Sequence, residues 1–134
     1  IAERFMEAMA HRPSDAIVWH GGIPRGLVVE LVSYDALLRM DVKGRMPRHR
    51  EHVTYYAKEY PEQFTTTDVQ IPADLRYPQL RITLDTEEDY ALCQAVAAAF
   101  PGNKLVSSSK VVDYLNQHPE VAALNAHIEQ KPVV

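Results

Sequence analysis

The sequence has only one cysteine, Cys93, and no apolar run of the length that crosses a bilayer. A single cysteine excludes an internal disulfide and a thiolate metal cluster, which predicts a reducing, cytoplasmic location. A membrane-spanning helix needs about 20 consecutive apolar residues, so we expect no membrane partner. The first residues also lack the basic and apolar segments of a signal peptide.

An excess of positive charge is absent as well. Lys and Arg number 14 against 18 Asp and Glu, which gives a formal net charge of −4. This balance argues against a broad nucleic-acid surface, and we expect no nucleic-acid partner. Positive charge is concentrated in residues 41–52, DVKGRMPRHREH. This segment is either a solvated basic loop or a site for phosphate or carboxylate, which the planar guanidinium of Arg binds well.

The rest of the composition is that of one globular domain. The chain has 134 residues, of which 46% are apolar and 24% charged, and a domain of this size can form its own core. The helical patterns are those of residues 2–11, 34–40 and 51–60 and of segments that begin near 87, 108 and 119. The strand patterns are those of residues 16–19, 27–32, 64–71 and 80–84. Because the two kinds alternate, the sequence predicts an α/β fold with helices layered on a sheet.

Two short stretches hold polar residues that could contact a substrate. Glu30 lies inside the apolar run 27–32, LVVELV. A carboxylate there is costly unless it is paired or functional, so Glu30 either pairs with an Arg or the backbone or binds a ligand. Arg50 and His52 flank Glu51, which suits the positive end of a helix dipole. His52 is either a donor to a sugar or phosphate or an ordinary surface or capping residue.

Asp85 lies where the strand pattern 80–84 gives way to a helix. In α/β sheets, ligands bind outside the C-terminal ends of the strands. One carboxylate at such a position can hold Mg²⁺ together with substrate phosphates, because Mg²⁺ takes only one or two protein carboxylates. The alternative is that Asp85 belongs to a plain capping cluster at the helix N-terminus. The sequence contains no G-x-S-x-G, H-E-x-x-H, G-x-G-x-x-G or Walker motif.

Four strings of the sequence together resemble a known family. REHVTYYAKEYPEQF at 50–64 and IPADLRYPQLRITLDTEEDYALCQAV at 71–96 resemble the C-terminal half of the cytidylyltransferases of spore coat polysaccharide biosynthesis. These are relatives of the enzymes that attach CMP to sialic acid and to KDO. IPRGLVVELVSYDALLRM at 23–40 and HPEVAALNAHIEQK at 118–131 extend the resemblance. The strings REHVT and R-x-T-x-D-T-x-E-D are specific when they occur together.

The resemblance implies the C-terminal half of a Rossmann-like nucleotidyltransferase, with a mixed sheet flanked by helices. Residues 1–104 would form part of this α/β domain, and residues 105–134 a helical C-terminal extension. Enzymes of this kind transfer CMP from CTP to a sugar, here an acidic one for surface polysaccharide, with Mg²⁺ and release of pyrophosphate. The expected partners are therefore CTP and a sugar, and the expected cofactor is Mg²⁺.

Five residues form the expected site. The resemblance implies that Asp85, in the D-T-x-E-D string, is a ligand of Mg²⁺. The metal would neutralise the α-phosphate and orient the attacking oxygen. The residues expected to bind the sugar or the phosphates are Glu30, Arg50, His52 and Arg81.

Two departures from the family pattern leave an alternative open. The family's phosphate loop and second metal Asp would precede Ile1, so we expect the chain to lack the N-terminal nucleotide-binding half. Val28 stands where many relatives carry Asp. The alternative is a non-catalytic binding or dimerisation module. In either case the apolar stripe Val121, Leu124 and Ile128 lies in helices too short to be stable alone, and we expect a homodimer in which this tail takes part.

Overall fold

The computed structural model describes residues 1–130 and Val133. The regular elements of this part of the chain are seven α-helices and two β-strands. In chain order they are α1 (Ala2–His11), β1 (Ala16–His20), α2 (Tyr34–Lys43), α3 (Pro47–Glu51), α4 (Tyr55–Glu59), β2 (Thr66–Gln70), α5 (Glu87–Ala99), α6 (Ser108–Gln117) and α7 (Pro119–Ala122). The two strands are parallel, and the predicted α/β fold class is confirmed.

These elements form two compact units. The first contains residues 1–20 and 29–70, and the second contains residues 21–28 and 71–130. The predicted division into 1–104 and 105–134 places its boundary inside the second unit, and it stays a prediction. Within the described residues, the structure has no helix that is both long and apolar enough to cross a membrane.

The first unit is built on the parallel pair β1 and β2. Ile17 lies opposite Thr67, and Trp19 lies opposite Val69. Side chains alternate between the two faces of a strand, and Ile17, Thr67 and Val69 are buried on the face that they share. Helix α1 packs on this pair, with the Phe5 ring stacked on Trp19 at a centroid distance of 6.1 Å.

Helix α2 begins where its sequence predicts but ends three residues later than predicted, at Lys43 rather than Met40. The hydroxyl of Ser33 caps it by accepting a hydrogen bond from the amide of Ala36, and Gly44 follows its last residue. Ala36 and Met40 pack with Tyr56 of α4 in a buried cluster. The first unit thus has an apolar core of its own.

Two of the predicted strands do not form. The pairing of residues 27–32 with β1 is limited to an isolated bridge between Val32 and Ala16 and a bond from the amide of Ile17 to the carbonyl of Leu31. Residues 80–84 make only an isolated bridge between Arg25 and Arg81. The apolar, β-branched composition was the basis of both predictions, but a strand needs a continuous ladder of partner groups, and composition does not supply one.

The helix predicted over 51–60 is also wrong in its bounds. The structure has two short helices there, α3 and α4, separated by a turn. Pro47 occupies the first position of α3, where its missing N–H costs nothing. His52 then takes an extended conformation (φ −119°, ψ 96°) and ends α3, so α4 starts afresh after Thr54.

The second unit packs helices α5, α6 and α7 together with irregular segments. Helix α7 contacts both α5 and α6, so the tail helices share a core with the helix that follows Asp85. The buried apolar residues of this unit include Ile71, Leu75, Leu80, Leu92, Val111, Val112 and Leu115.

Gly26 is required by a close backbone approach in the second unit. It has φ +95°, and a Cβ added there would lie 1.8 Å from the carbonyl oxygen of Ile82. Gly26→Ala should lower the free energy of unfolding by about 2–3 kcal/mol, through strain and disturbed neighbouring hydrogen bonds. Gly102→Ala is the matched control, because Gly102 has φ +75° but open space around it. It should cost about 1 kcal/mol. Equal losses in urea denaturation would contradict the role given to the contact.

Candidate functional site

A buried carboxylate, Asp89, organises the turn that leads into α5. It is 0% exposed. It accepts two hydrogen bonds from the guanidinium of Arg81, both 2.9 Å long. The hydroxyl of Thr83 (2.8 Å), the amide of Asp85 (3.0 Å) and the side-chain amide of Asn125 (2.7 Å) donate to it as well. Five donated hydrogen bonds thus surround one carboxylate and fill its acceptor sites.

These contacts keep Asp89 ionised. The hydrogen bonds from Arg81 hold the pKa of the Asp89 carboxyl well below its usual range, although burial acts in the opposite direction. Asp89 in turn raises the pKa of the Arg81 guanidinium further above its usual value. Arg81 is only 8% exposed, so this ion pair is internal to the protein. The predicted contact of Arg81 with substrate stays a prediction, and the contact that the structure gives it is structural.

The free energy of unfolding at acidic pH should depend on the protonation of Asp89. Its pKa is lower in the folded chain than in the unfolded chain, where about 3.9 is usual. The resulting stabilisation is complete above that pH and is lost as the pH falls toward the lower folded value. We expect the free energy of unfolding to fall between about pH 5 and pH 3. In NMR, the Asp89 carboxyl carbon of the folded chain should not titrate above about pH 3, and a midpoint near 4 would contradict the ion pair.

Asp85 is the carboxylate of this turn that remains available. Its side chain is 65% exposed, and one of its oxygens lies 3.4 Å from a guanidinium nitrogen of Arg81. The cap of α5 is Thr86, whose hydroxyl accepts from the amide of Asp89, so Asp85 is not needed as the helix cap. The backbone amide of Asp85 is held by Asp89, while its exposed carboxylate makes a long contact with Arg81 and can accept a further partner.

The donor set fits Mg²⁺ in part. A carboxylate oxygen is a hard ligand that Mg²⁺ prefers, and Asp85 can supply one. Within residues 1–130 and Val133, no group of three His, Cys, Asp or Glu side chains is arranged to hold a metal ion. A single protein carboxylate is compatible with Mg²⁺ because phosphates and water usually fill its other positions.

A cavity in the first unit is the second candidate site. It has a volume of about 310 Å³ and is lined mostly by apolar side chains, including Trp19 and Phe64. Its polar lining comes chiefly from Glu30, Thr54 and Lys58. Glu30 accepts from the hydroxyl of Thr54 at 2.5 Å and pairs with the ammonium of Lys58 at 2.9 Å. An apolar pocket with a few fixed polar groups is the usual form of a small-molecule site.

Glu30 is charged in this setting. Burial acts to raise the pKa of its carboxyl, but the hydrogen bonds from Thr54 and Lys58 outweigh burial and leave the pKa below its usual value. Glu30 is paired with Lys58 and Thr54 rather than with Arg or the backbone, and its predicted contact with a substrate stays a prediction. A carboxylate has about four acceptor positions, so Glu30 can accept further hydrogen bonds while it is paired.

Arg50 and His52 do not line this cavity. Arg50 forms an ion pair with Asp41 and also donates to the carbonyl oxygen of Asp41 at 3.1 Å. His52 is exposed, and its ring lies 6.1 Å from that of Tyr55. The structure therefore places Glu30 at the cavity, while Arg50 and His52 lie elsewhere on the first unit and keep their predicted roles only as predictions.

Ion pairs within the chain hold the basic segment 41–52. Arg48 donates to Glu59 at 2.7 Å, and the buried ring of His49 contacts the other oxygen of Glu59 at 2.5 Å. These hydrogen bonds, from His49 first and Arg48 second, lower the pKa of Glu59. Much of the positive charge of this segment is thus neutralised locally. The segment is not a solvated loop either, because residues 47–51 form α3 and His49 is buried, and its binding of an anion stays a prediction.

Known proteins match both the sequence and the fold. No family model matches the chain. The spore coat polysaccharide biosynthesis protein SpsF of Bacillus subtilis (strain 168) is 30% identical over 100 residues, which are 74% of this chain and 42% of that protein. The uncharacterized protein MJ1063 of Methanocaldococcus jannaschii is 29% identical over 106 residues, which are 79% of this chain and 43% of that protein.

A solved structure gives the fold. The cytidylyltransferase from Leptospira borgpetersenii serovar Hardjo-bovis (strain JB197) superposes with a TM-score of 0.76 at 20% identity, over 96% of this chain and 53% of that chain. This chain is a relative of SpsF with a cytidylyltransferase-like fold. The resemblance to the spore coat family is thereby confirmed. The chain spans about half of the length of the proteins that it matches.

The structure adds residues that the sequence analysis missed in this cytidylyltransferase-like chain. Thr54 and Lys58 lie four residues apart, and this spacing places both on one side of the short helix α4. Their spacing was a signal that could have been used. Asn125 gave no such signal, because its contacts with Arg81 and Asp89 join segments 44 and 36 residues apart.

Proposed function

We propose that this chain acts within a sugar-activating cytidylyltransferase, as the part that corresponds to the C-terminal half of the family. The reaction is transfer of CMP from CTP to an acidic sugar for surface polysaccharide synthesis, with release of pyrophosphate. The relationship to SpsF and the cytidylyltransferase-like fold support the reaction class. The sugar and the base of the nucleotide are part of the proposal.

The observation that carries this proposal is the difference in burial and hydrogen bonding between two carboxylates of one turn. Asp89 is buried and fully hydrogen-bonded, while Asp85 is exposed and its backbone is fixed by Asp89. Asp85 is therefore the residue that would hold Mg²⁺. The metal, when bound, neutralises phosphate charge and orients the reacting groups. Because the backbone amide of Asp85 is held by Asp89, less rearrangement of the turn is needed when the metal and phosphates arrive.

The cavity at Glu30 is proposed as the place for the sugar. The ionised Glu30 can accept hydrogen bonds from hydroxyl groups, and the Lys58 ammonium beside it can donate. Lys58 also offers a positive charge to an acidic sugar, and the apolar wall supplies contact area. Arg50, His52 and Arg81 remain in the proposal as predicted contacts of the sugar or phosphates.

The test is an assay of pyrophosphate release. A protein of the relatives' length that contains this chain should release pyrophosphate when CTP, Mg²⁺ and an acidic sugar are all present. The 134-residue chain alone should show negligible turnover. A panel of acidic sugars and of the four nucleoside triphosphates identifies the substrates. Binding of nucleotide or sugar without any turnover would instead identify the protein as a non-catalytic binding module.

We further propose a homodimer in the cytoplasm. The support is the partly apolar surface of the tail, where Leu124 is 39% exposed, together with the prevalence of two-fold dimers among soluble assemblies. Sedimentation of the chain at several concentrations measures its mass in solution. A monomer at every concentration would contradict the dimer.

A further inference from the structure

Asn125 connects the tail of the chain to the turn that carries Asp85. It follows α7 and is 0% exposed. Its side-chain amide nitrogen donates to the carbonyl oxygen of Arg81 at 3.1 Å and to a carboxylate oxygen of Asp89 at 2.7 Å. One side chain thus holds a backbone group on one side of the turn and the buried carboxylate on the other.

Asn125 is linked to Asp85 through one intermediate residue, Asp89. The other oxygen of Asp89 accepts the backbone amide of Asp85 at 3.0 Å. A second tail residue reinforces the link, because the side-chain oxygen of Gln130 accepts from Arg81 at 3.2 Å. The position of Asp85 therefore depends on Asp89, and the position of Asp89 depends in part on the tail.

The chemistry of Asn125 indicates a role beyond packing. Its side-chain oxygen is buried and has no hydrogen-bond partner within the described part of the chain. A buried acceptor without a donor is destabilising, and an apolar side chain of similar size would avoid that cost. What Asn125 supplies and an apolar residue cannot is the pair of donated hydrogen bonds.

We infer that Asn125 is a positioning residue, which orders the turn at Asp85 by fixing Asp89 and the carbonyl of Arg81 from the tail. This inference deepens the proposed function and rests on it in one respect, namely that Asp85 is the ligand of the metal. It gives the tail a purpose at the site, because the segment after α7 then completes the support of the metal-binding turn.

Hydrogen exchange of the Asp85 amide tests this inference directly. Asn125→Leu removes both donated bonds and keeps a side chain of similar size, and Asn125→Ala removes the same bonds without steric demand if the leucine variant does not fold. We expect exchange of the Asp85 amide to become at least about tenfold faster in the variant, because its acceptor loses a fixed position. NMR of the folded 134-residue chain measures the rate residue by residue.

Val112→Ala is the matched control. Val112 is also 0% exposed and lies in α6 of the same unit, so the variant lowers global stability without touching the hydrogen bonds of the turn. It should leave Asp85 exchange unchanged under native conditions. If Asn125→Leu and Val112→Ala affect the Asp85 amide equally, or if Asn125→Leu leaves it unchanged, Asn125 is a packing residue and the inference is overturned.

Mn²⁺ added to the same samples separates this inference from the proposed function. In the wild-type chain, Mn²⁺ should broaden the amide signals of Asp85 and Thr86, and several-fold more Mn²⁺ should be needed in Asn125→Leu. If the wild-type chain shows no such broadening but the exchange difference is present, the metal role of Asp85 fails while the positioning role of Asn125 stands. If broadening occurs but the exchange rates are equal, the metal role of Asp85 stands while the positioning role of Asn125 fails.

Discussion

Replacing Asp89 by asparagine is expected to lower the free energy of unfolding by about 3–5 kcal/mol. The variant keeps the size of the side chain but removes the negative charge that faces the buried guanidinium of Arg81. Arg81 would then be a buried cation whose remaining counter-ion is the exposed carboxylate of Asp85, 3.4 Å away, and removing the buried partner of such a pair is strongly destabilising. Urea denaturation at pH 7 measures the loss.

Asp85→Asn is the matched control for that experiment. It is the same chemical change in the same turn, but Asp85 is largely exposed. A surface substitution of this kind should change the free energy of unfolding by no more than about 0.5 kcal/mol. Similar values for the two variants would mean that the Arg81–Asp89 pair does not stabilise the second unit as the structure indicates.

The same Asp85→Asn variant should have a large effect on turnover. In a cytidylyltransferase that contains this chain, we expect the rate of pyrophosphate release from CTP to fall by at least about a hundredfold, because changes one shell farther from a metal already cost 10–100-fold. Because the side-chain amide of asparagine carries no formal charge to attract Mg²⁺, the Mg²⁺ concentration needed for half of the maximal rate should also rise. The measurement is the rate across a Mg²⁺ titration, together with the unfolding curve that shows an intact fold.

Glu87→Gln provides the control for turnover. Glu87 is an exposed carboxylate in the first turn of α5, two residues from Asp85. Its neutralisation changes the charge of the region equally but removes no proposed ligand, and turnover should stay within about twofold of the wild type. Equal losses of turnover in both variants would mean that the effect comes from the overall negative charge of the turn. Asp85 would then not be a ligand of the metal.

Local signals in the sequence were sufficient for α1 and for the starts of α2, α5 and α6, but not for residues 51–60 or for the stripe of Val121, Leu124 and Ile128, because α7 ends at Ala122. The predicted span 2–11 is the span of α1, and α5 and α6 start after hydroxyl caps at Thr86 and Ser107 as their sequences indicate. Such signals act over three or four residues, so the information is complete within one turn of chain. The same holds for the family resemblance, which was carried by contiguous strings.

Strand formation depended on which segments pair with each other, and the sequence does not show this. The run 27–32 has the composition of a covered strand, yet Val28 and Val29 are 42% and 38% exposed. Only Leu31 and Val32 in this run pair with β1. A strand exists only where a second segment offers a matching row of donors and acceptors, and that is a property of the assembled sheet.

The sequence by itself determined the α/β class, most of the helix starts and the string that contains both Asp85 and Asp89. Only the tertiary structure decided which of the two is buried. Asp89 is enclosed because Arg81 and Asn125 converge on it from segments 8 and 36 residues away, while the side chain of Asp85 stays 65% exposed. Two carboxylates four residues apart are chemically identical in the sequence, and their different surroundings in the folded chain give them different roles.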